Sequence, residues 1–256
     1  MAYPPGPTTP GWWMLYRWLR TPLALLDELS ARYGDTFSMR VAGLPPVVMT
    51  ADPESIRTLF AAGYDQVSAG EANKVLEPFL GKHSLLLLDG APHQRDRKLL
   101  MPPFHGERMQ AYGRTMLDET DDELDRWPLG VPFSVHAPMQ RITLRIIVRT
   151  VFGVTDAASR ERWVQRLSEM LELGSQPALL VPAFQRDLGP LSPWGRFLRG
   201  SARAAELLTQ EIHKRRDEYA RGEAGGHDIL SLLVRAKDER GEPMTDDELR
   251  EELATL

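Results

Sequence analysis

Residues 85–106 read LLLLDGAPHQRDRKLLMPPFHG, and this stretch decides how the chain is interpreted. Pro92 suits the first turn of a helix, where its missing N–H costs nothing, and the pair of prolines further on ends that helix. His93 and Arg97 are four residues apart, so their side chains stand on one helical face. An imidazole beside a guanidinium is suited to a bound carboxylate or phosphate, because Arg offers a planar fork of donors and His adds one more.

The sequence around this pair narrows the interpretation. Alone, a His and an Arg at helical spacing more often mark a solvated face than a binding site. Here residues 89–97, DGAPHQRDR, and 101–109, MPPFHGERM, resemble the C helix and the C–D junction of soluble bacterial members of the cytochrome P-450 family, the heme-thiolate monooxygenases. In that family a Trp or His, followed four residues later by Arg, binds the heme propionates. The resemblance implies that His93 and Arg97 bind the cofactor, heme b.

The same resemblance implies a substrate pocket, a fold and a chemistry. Leu86 and Leu87 lie just upstream of the motif, where the family places residues near the heme and the substrate. The implied fold is mainly α with a small β-sheet, the N-terminal part of the cytochrome P-450 fold, ending early in the I helix. The implied activity is that of a monooxygenase that inserts one oxygen atom of O2 into an apolar organic substrate.

Composition excludes several other kinds of protein. The chain has 256 residues, and 42% of them are hydrophobic, as in an ordinary globular protein. Its net charge of −5 does not favour nucleic-acid binding. It has no cysteine, which rules out disulfides, a Cys nucleophile and, within this chain, the family's thiolate iron ligand. No apolar run approaches the ~20 residues of a membrane span, and the N-terminus lacks the pattern of a secretory signal. We therefore expect a cytoplasmic protein with no transmembrane segment.

Capping and turn signals predict the order of the elements. Helices begin at Thr21-Pro22 and at Asp52-Pro53, where an N-cap residue precedes proline. Between them, residues 37–41 and 47–50 predict the two strands of a hairpin. Helix, hairpin, helix is the order in which the resembled family begins. Further helices are predicted at residues 107–127, 137–152 and 160–173, from Ser192-Pro193 onward, and at 229–236.

Two long segments lack a regular hydrophobic period. Residues 63–88 resemble the family's B–C loop, which lies over the heme and lines the substrate pocket. Residues 174–193 contain two glycines and four prolines and resemble the F–G loop, the mobile lid over the access channel. A plain linker between helices is the alternative for the second segment, although long loops in compact domains are often functional.

Two rows of charged residues are interpreted as exposed surface. Arg141, Arg145 and Arg149 recur four residues apart on one side of a predicted helix. Acidic residues crowd the second half of the helix before it, at Asp118, Glu119, Asp121, Asp122, Glu123 and Asp125. An acidic row without a clustered partner rarely marks a metal site, so we expect a solvated face there. The arginines could meet acidic partners, but we expect an exposed face for them as well.

The end of the sequence indicates an unfinished helix. Thr245 and Glu248 form a capping box, with Thr at the N-cap and Glu at N3. The sequence stops at Leu256, about three turns later by helix pitch. We therefore interpret residues 1–256 as a single incomplete domain, a truncated N-terminal portion of a cytochrome P-450.

Two functions follow from these residues. The first is a heme-dependent monooxygenase that receives electrons from a ferredoxin or a similar redox partner. Arg95, Arg97, Lys98 and Arg108 form a basic cluster that would attract such an acidic partner, and scattered surface charge is an equal alternative. The second is a non-catalytic helical module that binds a lipid-like small molecule, which the missing cysteine supports. We assign no catalytic residue and no metal ligand, since the six histidines lack His-x-x-x-His spacing.

Overall fold

The computed structural model divides into two compact units, each described by itself. The first unit comprises Met1–Ser68 and Gln176–Arg186, and the second comprises Ala69–Ser175 and Asp187–Leu256. The structure describes residues 3–63, 66–176, 179, 181, 184–189, 192–223 and 226–256. The predicted loops at 63–88 and 174–193 therefore fall partly outside the described residues, at 64, 65, 177, 178, 180, 182, 183, 190 and 191.

The first unit contains three helices and a two-stranded antiparallel sheet. Its elements are α1 (Gly11–Arg20), α2 (Pro22–Tyr33), β1 (Thr36–Met39), β2 (Val47–Thr50) and α3 (Pro53–Ala61). The hairpin pairs Phe37 with Met49, and Phe37 points into a small apolar core with Met14, Leu25 and Leu29. The sequence predicted this hairpin and the helices on either side of it, but it gave no signal for α1.

The second unit is helical. Its helices are α4 (Ala69–Ala72), α5 (Glu77–Leu80), α6 (Gly90–Leu100), α7 (Glu107–Leu124), α8 (His136–Thr150), α9 (Ala157–Gly174), α10 (Pro193–Ala220), α11 (Ile229–Arg235) and α12 (Asp246–Thr255). Short 3-10 turns occur at Lys74–Leu76, Leu85–Leu87 and Pro102–Phe104. The segment predicted as the B–C loop is thus mostly short helical turns. The core joins α6 to α12 through Leu99, Val148, Leu208, Leu230 and Leu249, all buried.

Side-chain caps fix the starts of most predicted helices. Asp52 accepts a hydrogen bond from the Ser55 N–H at 2.7 Å. Thr245 and Glu248 close the predicted capping box, the Thr245 N–H donating to Glu248 at 2.7 Å. Thr21 departs from the expectation, because its side chain does not cap α2. Its hydroxyl donates instead to the Arg17 carbonyl, so it forms a hydrogen bond with the last turn of α1 and not with the first turn of α2.

The expectation of solvated faces is wrong at two acidic positions of α7 and at Arg145 of α8, which is 8% exposed. Glu119 is 1% exposed and Glu123 is fully buried. Both point at the arginine row of α8: the Arg149 guanidinium donates to Glu119 at 3.0 Å, and Arg141 donates to Glu123 at 3.1 Å. The two rows share the four-residue spacing, so antiparallel packing of the helices brings opposite charges together along one line.

Helix α9 completes this set of ion pairs. Arg160 donates to Glu119 at 3.2 Å, and Arg145 lies between Glu123 at 3.5 Å and Glu161 at 3.2 Å. A buried carboxylate needs both a counter-charge and hydrogen bonds to offset its lost hydration. The paired rows therefore set the register of α7 against α8 and α9, in place of the exposed surface that their composition suggested.

No helix in the part of the chain that the structure describes combines the length and the hydropathy needed to traverse a bilayer.

The ion pairs between α7 and α8 predict a large effect from a single change. Glu123→Ala leaves Arg141 and the buried Arg145 without their shared carboxylate, so we expect the free energy of unfolding to fall by about 3–5 kcal/mol. Asp122→Ala is the matched control: it is the exposed neighbour on the same helix, and it should change stability by less than about 0.5 kcal/mol. Urea unfolding followed by circular dichroism measures both. Equal losses for the two variants would contradict a stabilising role for the buried pairs.

Candidate functional site

Helix α6 carries the predicted cofactor-binding pair. Leu99 and Leu100 are buried in the core and fix one side of the helix. His93 is half-buried and Arg97 is exposed, one turn apart on the same face as the spacing predicted. Gly90 starts the helix with a φ of 59°, a conformation that glycine adopts without strain.

Three cations lie close together on α6, and the structure separates their roles. The Arg95 side chain donates to Asp238 at 3.1 Å, and to Asp96 and Glu248 at 2.9 Å each. Arg95 therefore joins α6 to the first turn of α12 and to the segment before it. Lys98 pairs with the exposed Glu239 at 2.7 Å, so it too has a carboxylate partner within the chain.

Arg97 differs from both of its neighbours. Its guanidinium forms no hydrogen bond or ion pair with the residues that the structure describes. A planar fork of donors left available beside an imidazole fits a propionate carboxylate. Arg97 is thus the cation of α6 that remains able to bind an anion, whereas Arg95 is already occupied.

The predicted substrate residues lie in the turn before α6. Leu86 is 46% exposed, and its carbonyl accepts a hydrogen bond from the Asn73 side chain at 3.0 Å. Asp89 does not cap α6; it accepts from the Gly70 and Glu71 N–H groups at 2.9 and 3.0 Å. These bonds hold the turn that contains Leu86 and Leu87 against α4.

Gly70 allows this close approach between α4 and the turn. A Cβ atom at position 70 would lie 2.4 Å from the Leu87 carbonyl oxygen, and 2.9 Å from an Asp89 carboxylate oxygen. The first of these is a backbone atom, so it cannot move aside as a flexible side chain would. A side chain at position 70 would therefore separate the two segments.

A largely apolar cavity of about 440 Å³ lies elsewhere in the second unit. Leu86 and Leu87 do not line it. Its walls come from α5, α8, α9, α10 and α12, with Phe79, Ile147, Met170, Ala205, Leu208 and Leu253 among the lining residues. The lining is divided among five helices that are distant in sequence, which explains why the sequence did not indicate it. Such volume and lining suit a small apolar molecule.

An aromatic cluster packs beside this cavity. Phe79, which lines it, has its ring centroid 4.9 Å from that of Phe197 and 5.7 Å from that of Trp194. Trp194 and Phe197 are buried at the start of α10. Edge and tilted contacts of this kind add to the apolar burial, so the cluster fixes one wall of the cavity against α10.

Helix α12 meets the chain before α6 through a row of polar contacts, which we call the polar seam. Glu251 accepts from the His83 N–H at 2.6 Å and faces the His83 ring nitrogen at 3.2 Å. Thr255 donates to the Ser84 hydroxyl at 2.8 Å. Because Ser84 is fully buried, this contact lies inside the protein. The seam therefore orders the segment that leads into Leu86 and Leu87.

Glu252 lies in the middle of this seam. Its side chain is fully buried, and neither carboxyl oxygen pairs with a cation or another side chain among the described residues. The pKa of Glu252 is raised to about 8, chiefly by burial; the Leu85 backbone N–H opposes the shift, and the nearby Asp96 carboxylate adds to it. Burial likewise raises the pKa of Asp96, and Arg95 opposes that shift.

Known proteins resemble the whole of this chain. A family model described as Cytochrome P450 matches residues 4–256. The putative cytochrome P450 135A1 of Mycobacterium tuberculosis is 35% identical over 260 residues, which cover 99% of this chain and 56% of that protein. The putative cytochrome P450 135B1 of Mycobacterium bovis is 35% identical over 258 residues, with coverages of 100% and 53%. The chain thus spans just over half the length of these relatives.

Solved structures share the fold at lower sequence identity. A retinoic acid-bound cyanobacterial CYP120A1 matches with a TM-score of 0.77 and 18% identity, over 98% of this chain and 55% of that one. The heme domain of cytochrome P450DA matches with a TM-score of 0.75 and 20% identity, over 99% and 55%. These likenesses confirm the mainly α fold with its small sheet. With the match of the family model over nearly every residue, they show that this chain belongs to the cytochrome P450 family.

Proposed function

We propose that this chain is part of a heme-dependent monooxygenase that inserts one oxygen atom of O2 into an apolar organic substrate. The observation that carries the proposal is the difference between Arg97 and its neighbours on α6. Arg95 and Lys98 are used in ion pairs within the chain, and Arg97 is left with an available guanidinium beside His93. Membership of the cytochrome P450 family supports heme as the group that these two residues bind.

The two residues would hold the cofactor by its propionates. Two propionates carry roughly two negative charges, and an unpaired charge at a partly buried site is costly. Arg97 supplies a permanent positive charge in a planar fork. His93 donates one hydrogen bond and contributes charge only when it is protonated. Together they orient the edge of the cofactor against α6.

The remaining chemistry belongs to the bound heme b. In the family, a cysteine thiolate on the iron helps to cleave the O–O bond. These 256 residues contain no cysteine, so the proposal places that ligand elsewhere in a longer protein. The activity that we propose is accordingly that of the longer protein.

The apolar cavity supports an apolar substrate. Its lining comes mostly from hydrophobic side chains. The polar contributors are Glu77, Ser201, Arg250, Glu251 and Thr255. A pocket with this character binds a small molecule by burying it and orients it with few hydrogen bonds. We propose the cavity as the part of this chain that contacts substrate. The assignment of Leu86 and Leu87 to the substrate pocket stays a prediction.

The ferredoxin partner also remains a proposal, with less basic surface than the sequence indicated. Arg95 and Lys98 are neutralised within the chain, which leaves Arg97 and Arg108 of the predicted cluster. Arg108 is half-buried and reaches the Pro102 carbonyl. Electrostatic attraction of an acidic partner to this face would therefore be weaker than four free cations would give. The cytoplasmic location likewise stays a prediction.

The alternative of a non-catalytic module for a lipid-like molecule is not favoured. Its main support was the missing cysteine. The chain spans only 53–56% of its relatives' length, so the lack of this residue in 256 positions does not argue against an enzyme. The apolar cavity fits either function, and the family match supports the monooxygenase.

The propionate contact predicts a specific order of heme loss in the full-length, heme-loaded protein. A charge-assisted hydrogen bond contributes about 1.5–3 kcal/mol, so Arg97→Ala should speed heme transfer to excess apomyoglobin by roughly tenfold to a hundredfold. His93→Ala should have a smaller effect, and Arg97→Lys should fall between wild type and Arg97→Ala. Absorbance of the myoglobin formed gives the rates.

Lys98→Ala is the matched control for this experiment. It removes the same charge from the same helix, at an exposed residue whose partner is also exposed, and should leave heme transfer unchanged. Arg95→Ala is a poor control, because it would break the contacts of α6 with Glu248 and Asp238. Loss of heme from Lys98→Ala as fast as from Arg97→Ala would disprove the specific contact.

Filling the cavity should weaken the binding of apolar molecules. Ala205 is half-buried on α10 and lines the cavity, so Ala205→Phe should raise the dissociation constant of Nile red by about tenfold, as ~1.4 kcal/mol of lost apolar contact would do. Ala202→Phe adds the same ring at an exposed position of the same helix and should leave binding unchanged. Fluorescence titration measures both. An unaffected Ala205→Phe would remove the cavity from the proposed substrate site.

A further inference from the structure

We propose that the polar seam between α12 and the chain before α6 is sensitive to pH: it stays closed while Glu252 holds a proton and opens locally when that proton is lost. The inference concerns this chain's own residues and does not depend on heme. It rests on a fully buried carboxyl group, on the acidic groups that face it, and on the fact that the nearby cations are already used.

The position of Glu252 gives its ionised form little compensation. The side chain is fully buried, no cation in the described part of the chain pairs with it, and the Leu85 backbone N–H is the one group that favours its charged form. Leu249 and Leu253, on either side of it in α12, are also buried. An ionised carboxylate in such surroundings is strongly disfavoured, so the group keeps its proton instead.

The charged groups around Glu252 are mostly acidic. Asp96 faces it from α6, and Glu248 and Glu251 face it from α12 itself. Asp96 is only 3% exposed. Each of these carboxylates opposes a further negative charge at position 252, because like charges in a buried cluster cannot all ionise without cost.

The cations of the seam have other partners. Arg95 from α6 divides its donors among Asp96, Glu248 and Asp238. His83, from the segment before α6, faces Glu251. Neither is left to neutralise Glu252.

The other cations on or beside α12 also have carboxylate partners. Arg250 of α12 pairs with Asp247 at 2.8 Å and lies 3.9 Å from Glu251. His213 and Arg216, both from α10, pair with Asp246 at 3.0 and 2.6 Å. Asp246 is the first residue of α12, six residues before Glu252, so these cations are about 9 Å away along the helix axis. The α11 residues in the core beside α12 are apolar, Ile229, Leu230, Leu233 and Val234.

The direction of the pH effect follows from proton binding. Burial raises the pKa of Glu252 from 4.5 to about 8. Between these two values the closed seam holds a proton that the open chain has released, so closure becomes less favourable as the pH rises. The contact is fully favoured below about pH 4.5 and has lost this contribution above about pH 8.

Opening of the seam would release a defined part of the chain. Ser84 is bonded to Thr255, and the Leu85 N–H lies near Glu252. Ser84 precedes the turn that contains Leu86 and Leu87, and Leu85 is the first residue of that turn. Separation of α12 from this segment would expose Ser84 and free that turn on one side, while the ion pairs between α7 and α8 would be unaffected.

Amide hydrogen exchange of the full 256-residue chain between pH 6 and pH 9 tests the inference, with rates corrected for intrinsic exchange. We expect the protection factors of residues 83–87 and 249–253 to fall by at least about tenfold across this range, since each pH unit in the window changes the opening equilibrium by up to tenfold. Those of residues 141–149 in α8 should stay constant. Wild-type protection of the seam that does not vary with pH would overturn the proposal.

Three variants assign the effect to Glu252. Glu252→Gln keeps the shape without the charge and should make seam protection independent of pH. Asp96→Asn removes a facing carboxylate and should reduce the decrease in seam protection with pH. An unchanged decrease would show that Asp96 does not contribute to the pH effect. Glu239→Gln makes the same change at an 83% exposed side chain and should behave as wild type. The proposal would be refuted if seam protection decreased with pH in Glu252→Gln as much as in wild type, or if it no longer decreased in Glu239→Gln.

Discussion

A carboxylate buried by this chain must be matched either by a cation or by a proton, and that requirement arranges the helices of the second unit. Glu119 and Glu123 of α7 are matched by arginines of α8 and α9. Glu252 of α12 has no such partner in the described residues and is matched by a proton instead. The ion pairs fix the register between long helices, because several pairs must align together. The proton on Glu252 holds α12 against its neighbouring segment only at pH values where the group stays protonated.

Neighbouring residues of α6 differ in whether they are used in contacts within the chain. Arg95 and Arg97 are separated by about 200° around the helix, so they face different surroundings. Arg95 anchors the helix to α12 and the preceding segment. Arg97 stays available on the face shared with His93. The contacts of Arg95 would support the proposed role of Arg97, since a residue that binds a planar cofactor has to be held in place by its own scaffold.

Local signals in the sequence predicted the secondary-structure elements well. Features that depend on packing between residues distant in sequence were predicted poorly. The capping residues Asp52 and Thr245 act within three residues of the helix start, so their chemistry can be identified without a fold. Burial of Glu123 cannot be identified in this way. Its sequence context is as acidic as that of the exposed Asp122, and only the packing of α8 distinguishes them. The lining of the apolar cavity was missed for the same reason, because five separate helices contribute to it. The family resemblance predicted His93 and Arg97 where spacing alone was ambiguous.

The close approach of Gly70 to the Leu87 carbonyl has an evolutionary consequence. A side chain of any size at position 70 would meet a backbone atom at 2.4 Å, so natural variants should retain glycine there whatever molecule the protein acts on. The exposed Leu86 has no such restriction from packing. Within this turn, therefore, the residue that contributes no side chain should change least during divergence, and drift or selection for new ligands should act first on its neighbours.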